Sequence, residues 1–393
     1  MKGLKVKKLK YWMCYFLILF LFSNCSCKKK PTENDEKTYD PRNISRTKTF
    51  SALPKIAIDN EGNIHIVWQE SDVEGEWGYS NYEILYRRKD LSGKWSETVN
   101  ISNTNGISIG ANIGVDNSGN IYVVWEEEGE GIFFVEKKSG GDWETPVNVL
   151  QGDYNIINLG VDDLGQCHLV FMGENSFLNY LKRKSDGIWE ERINLPYTDG
   201  AYNNRTWVSK NGEIHIVYEM GGGSIEDIYY IHSVNGIDWD SLFKLTPSNT
   251  YYYDADIIGD GGGNIYVAFS EWDTGKLFFV MRDSLGNWGS IEEVPGISGY
   301  SWNVDLAVDE DGTLYLVWSQ WMEENPGIGS HSRWDIFYTY RDKDGNWGTP
   351  QNISNTLDAS TSPSAEMHPS GKLCIVWREA NKGEIFYDEI ILK

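Results

Sequence analysis

Residues 58–68 read Ile-Asp-Asn-Glu-Gly-Asn-Ile-His-Ile-Val-Trp, with apolar residues on either side of a glycine-containing turn. The pattern is typical of a tight β-hairpin, because glycine readily supplies the positive φ that such a turn needs. The segment returns six more times, at residues 115–125, 161–171, 208–218, 259–269, 308–318 and 367–377. Its anchoring glycines, 46 to 59 residues apart, are Gly62, Gly119, Gly165, Gly212, Gly263, Gly312 and Gly371. The chain therefore contains seven copies of one unit.

Each copy holds enough strand-like segments for one small antiparallel sheet. After the hairpin come a variable loop, a third apolar strand such as residues 336–342, and a glycine turn with a tryptophan and a short fourth strand. Four strands at this repeat length predict the blades of a β-propeller. The sequence thus predicts an all-β fold, a seven-bladed β-propeller with four antiparallel strands per blade, over residues 39–393.

The seventh copy ends without its fourth strand, and the missing segment lies near the beginning of the chain. Pro41-Arg-Asn-Ile-Ser45 matches Pro350-Gln-Asn-Ile-Ser354, the fourth strand of the sixth copy. We therefore expect the N-terminal strand to pair into the last blade. Such pairing closes the ring and covers a sheet edge that would otherwise be exposed to other chains.

The turn before the fourth strand carries a family resemblance. Residues 283–288 (DSLGNW), 233–239 (SVNGIDW) and 342–347 (DKDGNW) resemble degenerate forms of the Asp-box, or BNR, repeat of sialidases and related propellers. The hairpin segments are also similar to those of NHL-type propellers. The resemblance covers residues 39–393 and implies a propeller fold, but a fold does not define an activity.

The N-terminus reads as an export signal. Five lysines in the first ten residues precede an apolar run from Tyr11 to Phe22 that is shorter than a membrane span, as in a secretory signal peptide. Leu21-Phe-Ser-Asn-Cys25 resembles a bacterial lipobox, which implies lipidation at Cys25, with Cys27 as the rival site. We expect a signal at residues 1–24, a flexible tether at 25–38 and a location in the cell envelope; the alternative is a plain exported protein.

The charge excludes some partners. The net charge is −23, so a nucleic-acid-binding role and direct adhesion to anionic lipid are both disfavoured, and only a lipid anchor would hold the chain at a membrane. No phosphate loop, dinucleotide fingerprint or Cys/His zinc spacing is present, so the sequence predicts no cofactor and no metal. We expect a monomer whose partner is a glycan or an extracellular protein.

A polar ring is predicted on the innermost strands. Four positions before the first residue of each hairpin turn, every copy carries a polar residue, and these seven residues are here called the collar: Lys55, Asn112, Asn158, Arg205, Asp256, Asp305 and Ser364. Asp254 and Asn303 lie two residues before collar positions. We expect Arg205, Asp254, Asp256, Asn303 and Asp305 to form a ligand site for a sugar or small polar solute. The alternative is that they only line a water-filled channel.

Two long loops predict a second surface. Residues 72–81 of the first copy include Trp77 and Tyr79, and residues 321–334 of the sixth include Trp321 and Trp334. Both loops flank the short loop of the seventh copy, which predicts an aromatic groove for polysaccharide. Loop drift and a protein-partner patch are the alternatives.

The function that these features favour is glycan or other ligand binding without catalysis. A glycan-active enzyme, either a sialidase-like hydrolase or a polysaccharide lyase, and a protein–protein scaffold remain alternatives. The sialidase resemblance implies an arginine triad, yet Arg205 is the only arginine on a predicted inner strand. No residue is therefore assigned a catalytic role.

Overall fold

The computed structural model describes residues 40–71, 81–173, 177–222, 225–322, 333–356 and 358–392, which form seven antiparallel sheets. The innermost strand of each sheet contacts those of its two neighbours, and the first contacts the last. The sheets therefore form a closed ring, which confirms the predicted seven-bladed β-propeller. Among the described residues, none lies in a helix long and apolar enough to cross a membrane.

In the first four blades the strands follow one another in sequence order from the ring axis outward. Blade 1 consists of β1 (Ser51–Ile58), β2 (Ile64–Ser71), β3 (Tyr82–Lys89) and β4 (Val99–Asn100). Blade 2 consists of β5 (Ser108–Val115), β6 (Ile121–Glu127), β7 (Gly131–Lys137) and β8 (Val147–Gln151). Blade 3 consists of β9 (Asn155–Val161), β10 (Cys167–Met172), β11 (Leu178–Arg183) and β12 (Ile193–Asn194). Blade 4 consists of β13 (Ala201–Val208), β14 (Ile214–Gly222), β15 (Ile225–Ser233) and β16 (Phe243–Lys244).

The last three blades follow the same order. Blade 5 consists of β17 (Tyr252–Gly259), β18 (Ile265–Glu271), β19 (Leu277–Arg282) and β20 (Glu292–Glu293). Blade 6 consists of β21 (Ser301–Val308), β22 (Leu314–Met322), β23 (Arg333–Arg341) and β24 (Gln351–Asn352). Blade 7 consists of β25 (Ser360–His368), β26 (Lys372–Glu379) and β27 (Glu384–Ile391).

In five blades an aspartate closes the hairpin turn between the first two strands. In blade 1, Asp59 Oδ1 accepts a hydrogen bond from the backbone N–H of Asn63 at 2.8 Å, and Oδ2 accepts one from the Asn63 amide at 2.8 Å. Gly62 has a φ of 91°, which an L side chain rarely adopts. The aspartate and glycine of the repeated segment thus fix the turn.

The N-terminal segment completes blade 7, as predicted. Asn43 forms an antiparallel bridge with Phe386, the Ile44 N–H donates to Ile385 O at 2.8 Å, and the Tyr387 N–H donates to Arg42 O at 2.8 Å. Ile44 is 1% exposed and lies in an apolar cluster shared by blades 1 and 7. Hydrogen bonds and apolar packing together close the ring.

The core consists of the contacts between neighbouring blades. Seven apolar clusters fill the seven interfaces. In six interfaces the tryptophan of one blade's Asp-box turn meets a third-strand aromatic ring of the preceding blade edge to face, at interplanar angles of 74° to 86°. The pairs are Trp95–Tyr387, Trp143–Tyr86, Trp189–Phe134, Trp239–Tyr180, Trp288–Tyr230 and Trp347–Phe279.

Ring closure predicts a large cost for a small change at Ile44. Ile44→Ala removes buried methyl groups from the interface that joins the two ends of the chain, so the free energy of unfolding should fall by about 2–4 kcal/mol. Urea denaturation followed by tryptophan fluorescence measures it. Ile391→Ala, at a side chain 77% exposed, is the control and should cost less than about 0.5 kcal/mol. Equal losses in the two variants would contradict closure by this segment.

Candidate functional site

Every innermost strand is irregular at the same level. The pairing of the first and second strands shifts register there in all seven blades. In six blades the residue at this point has a positive φ of 49° to 65°, and these residues are Leu53, Gly110, Ile156, Asp254, Asn303 and Ser362. Leucine and isoleucine rarely adopt such a backbone, and bulges of this kind re-aim neighbouring side chains. In each blade the collar residue lies two positions after this point in the chain.

Several collar side chains join one blade to the next. Asp256 Oδ2 accepts from the backbone N–H of Leu306 at 2.9 Å, and Asp305 Oδ2 accepts from that of Ala365 at 2.7 Å. On the other side of the ring, the Asn112 side-chain amide donates to Ile157 O at 2.7 Å. These bonds satisfy backbone groups of the innermost strands, so part of the collar has a structural role.

The charged collar residues form two loose ion pairs. Arg205 Nε lies 3.9 Å from Asp256 Oδ1, and Lys55 Nζ lies 3.9 Å from Asp305 Oδ1. Burial raises the pKa of both aspartates, although the neighbouring cations oppose this shift. Burial likewise lowers the pKa of Lys55, against the attraction of Asp305. The collar therefore carries both hydrogen-bond donors and acceptors in a narrow space.

A second chain of polar contacts runs beside the collar from blade 4 to blade 6. Glu219 Oε1 accepts from the Asp254 backbone N–H and from the Asn203 amide, each at 2.8 Å. Asp254 Oδ2 in turn accepts from the Asn303 N–H at 3.0 Å. Burial, with the Asp254 charge adding to it, raises the pKa of Glu219 to about 7. Burial also raises the pKa of Asp254.

An aromatic cluster adjoins these polar residues on blades 5 and 6. Trp272 stacks on Trp302 with ring centroids 6.3 Å apart, and Trp302 packs on Trp334 at 5.2 Å. Tyr253 contacts Trp272 and Trp302 edge to face. Trp272, which is 43% exposed, presents an accessible ring. We call Tyr253, Trp272, Trp302 and Trp334 the aromatic platform.

The predicted site residues divide into three groups. Arg205, Asp254, Asp256, Asn303 and Asp305 lie on the inner strands of blades 4 to 6. A hydrogen bond joins Asn303 to Asp254 and an ion pair joins Arg205 to Asp256, whereas Asp305 pairs with Lys55 of blade 1. Trp321 is half-buried at the end of β22, whereas Trp334 is only 7% exposed against Trp302 and so offers little surface as a groove wall. Trp77, Tyr79, Cys25 and the predicted segments 1–24 and 25–38 lie outside the described residues.

Sequence reasoning missed four residues of this region, namely Glu219, Tyr253, Trp272 and Trp302. Glu219 directly follows Tyr218, the aromatic residue that ends the repeated segment, at a position that blade 2 also fills with glutamate, Glu126, and the other blades with glutamine, methionine, serine or arginine. Trp272 lies in the short loop after β18, whereas the predicted aromatic groove was based on the two long loops alone. Comparison of all seven loops by composition would have found it.

Comparison with known proteins is informative about the fold. No family model matches the sequence, and no curated protein matches it. Solved structures do match it, and three of them illustrate the likeness. A protein of unknown function from Dyadobacter fermentans has a TM-score of 0.56 at 14% identity, covering 88% of this chain and 96% of that one. A lectin from Burkholderia pseudomallei has a TM-score of 0.59 at 12% identity, covering 87% and 99%.

The third is the intramolecular trans-sialidase from Ruminococcus gnavus in complex with oseltamivir carboxylate. Its TM-score is 0.52 at 10% identity, and the match covers 90% of this chain and 99% of that one. The chain therefore has a sialidase-like β-propeller fold, as the Asp-box resemblance predicted. Likeness at this identity identifies the architecture and leaves the activity to the site residues.

The raised pKa of Glu219 predicts a pH-dependent stability. A carboxyl whose pKa is about 7 when folded, against 4.5 ordinarily, contributes most stability at low pH and loses it as the pH rises to 8. Glu219→Gln keeps an oxygen acceptor and removes this titration. Between pH 5 and pH 8 the variant should gain about 1–3 kcal/mol relative to wild type.

The measurement is urea denaturation of both proteins at each pH. The free energy of unfolding of either protein alone is not diagnostic. The lowered pKa values of His168 and His215 make stability rise with pH below about pH 6.5, opposite to the effect of Glu219. Both proteins share this contribution, so it cancels in the difference between them. Asp59, with a pKa lowered to about 2, remains ionised throughout this range. A constant difference would show that Glu219 is already ionised at pH 5.

Proposed function

We propose that the protein is a carbohydrate-binding propeller, exported and held in the cell envelope by a lipid anchor. The observation that carries the binding role is the exposed ring of Trp272, which packs on Tyr253 and Trp302. These two residues directly precede Asp254 and Asn303, which are joined by a hydrogen bond. Sugars present apolar C–H faces and hydroxyls together, so they bind where an aromatic ring adjoins hydrogen-bond acceptors and donors. The lectin and the trans-sialidase of similar fold are consistent with this proposal.

The binding face lies where the innermost strands begin. Tyr253 and Trp302 each directly precede a residue with a left-handed backbone, Asp254 and Asn303 respectively. Because a bulge interrupts the alternation of side chains along a strand, we infer that the ring and the polar side chain at these consecutive positions contribute to one face. We include Trp321 in this face, and we retain Trp77 and Tyr79 as proposed contributors from the long loop of blade 1.

A glycan-active enzyme is the second candidate, and Glu219 is the residue that favours it. A buried carboxyl with a pKa of about 7 could donate a proton to a glycosidic oxygen, as general acids do. Against a sialidase reaction, Arg205 is the only arginine on the seven innermost strands, all of which lie within the described residues. We therefore favour binding without cleavage.

The binding proposal predicts a selective loss in a Trp272→Ala variant. A glycan array with the full-length protein in detergent identifies the ligand, and titration of that glycan should show affinity weakened about tenfold, the equivalent of one lost ring contact. Asp254→Asn should weaken binding too while tolerating the left-handed backbone. Leu285→Ala, at a side chain 85% exposed on the Asp-box turn of blade 5, is the control.

Mass spectrometry of any retained glycan separates the two candidates. Unchanged glycan supports a lectin-like module, whereas shortened products would establish an enzyme and bring Glu219 forward as its acid. Absence of any glycan binding would contradict the proposal and favour a protein partner. Asp254, Asp256 and Asp305 each also accept a backbone hydrogen bond between blades, so Trp272→Ala is the decisive variant and Asp254→Asn, which keeps an acceptor oxygen, is the supporting one.

The anchor proposal predicts release of the protein when the lipidated cysteine is lost. Cys25→Ser should move the protein from the membrane to the soluble fraction, because the acidic body has no attraction for anionic lipid. Membrane fractionation with immunodetection measures it. If Cys25→Ser stays in the membrane fraction and only the Cys25/Cys27 double variant is released, the lipid is assigned to Cys27. Retention of the double variant would contradict the anchor.

A further inference from the structure

Blade 4, like blade 7, departs from the other five at its first hairpin turn. Five blades open this turn with an aspartate, and in four of them an amide side chain four residues later donates to it, the pairs being Asp59–Asn63, Asp116–Asn120, Asp162–Gln166 and Asp260–Asn264. Blade 4 has Ser209 and Glu213 instead. The Ser209 hydroxyl accepts from the Glu213 backbone N–H at 3.0 Å, so the turn is closed without the Glu213 carboxylate.

The replacement of aspartate by Ser209 alters the surroundings of a histidine that recurs at one position of the repeat. In blade 1 the Nε2 atom of His65 faces Asp59 at 3.2 Å, and in blade 3 that of His168 lies 3.7 Å from Asp162. His215 occupies the same position in blade 4, where serine replaces the aspartate. Its Nε2 lies 3.8 Å from Glu213 Oε2, while its Nδ1 is hydrogen-bonded to the Tyr230 hydroxyl at 2.8 Å.

A second histidine stands directly opposite. His232 on β15 pairs in register with His215 on β14, and the two ring centroids are 4.4 Å apart. The position opposite the histidine carries Arg88 in blade 1 and Lys182 in blade 3. His232 is 9% exposed, and its Nδ1 is hydrogen-bonded to Asp240 at 3.0 Å. Its Nε2 is buried without a hydrogen-bond partner and lies 3.8 Å from Glu213 Oε2.

We propose that Glu213, His215 and His232 bind a divalent transition-metal ion, with Zn²⁺ as the best fit. One ligand atom from each residue lies within 4.8 Å of the other two. Ligand atoms 2.0–2.1 Å from a tetrahedral ion are about 3.3 Å from one another. The three ligand atoms therefore need to approach one another only slightly to bind the ion. Two imidazoles and one carboxylate suit zinc, whereas Mg²⁺ and Ca²⁺ take oxygen ligands.

The surroundings match those of metal-bound histidines. A histidine ligand generally donates its other ring N–H to a carboxylate or another oxygen, which fixes its orientation. Asp240 and the Tyr230 hydroxyl are those partners here. Glu213 is 46% exposed, so a water molecule can reach the fourth position. The site adjoins the β13–β14 turn, four residues along β14 from Glu219, and shares no residue with the proposed glycan face.

Metal titration of the full-length protein in detergent tests the proposal. Isothermal calorimetry should show about one equivalent of Zn²⁺ bound and no binding of Mg²⁺. Co²⁺ should give the visible d–d absorption of a four-coordinate ion. His232→Gln and Glu213→Gln should abolish the Co²⁺ band, and Asp240→Asn, which disturbs only the partner of His232, should weaken Zn²⁺ binding at least about tenfold.

His168→Tyr is the matched control. It changes the equivalent histidine of blade 3 to the tyrosine that blades 2, 5 and 6 carry, and Zn²⁺ binding should be unchanged. Wild-type thermal stability without metal should be retained in His232→Gln, and added Zn²⁺ should stabilise wild type and His168→Tyr but not His232→Gln. Absence of Zn²⁺ binding by wild type, or equal binding by His232→Gln and wild type, would overturn the proposal.

Discussion

The packing of each blade against the next is the interaction on which this structure depends. A small twisted sheet has two faces, and no single blade can bury both of them. The apolar clusters accordingly lie between blades. Six tryptophans set the contact by meeting an aromatic ring of the preceding blade edge to face, an arrangement that favours a defined angle as well as a distance.

Closure of the ring brings seven innermost strands around one axis. Polar residues occupy the collar positions of these strands. Their partial burial has an electrostatic cost, seen in the raised pKa values of Asp256 and Asp305 and the lowered pKa of Lys55. Ion pairs and backbone hydrogen bonds between blades offset part of it. The same bonds that satisfy the carboxylates also tie the blades together.

A repeated scaffold lets single blades acquire individual features. The fold is maintained by the positions that every blade shares, so other positions can change without loss of the ring. Blade 4 has exchanged the usual aspartate and amide of its turn for Ser209 and Glu213. Blade 5 carries Trp272 on a short loop, where it stacks on the indole ring of Trp302 in blade 6. Both proposed sites arise from such departures, while the strands around them keep the common register.

The sequence by itself determined the architecture. Seven glycine hairpins define seven blades, and the match of residues 41–45 with 350–354 predicts the closing strand, because strand, turn and repeat signals are local and recur at regular intervals. Strand position alone also placed Arg205, Asp256 and Asp305 on the inner face. Only the tertiary structure decided which side chains meet. Glu219 contacts the backbone of Asp254, Trp272 stacks on Trp302, and His232 faces His215, because blade packing and strand register join residues that spacing along the chain leaves unrelated.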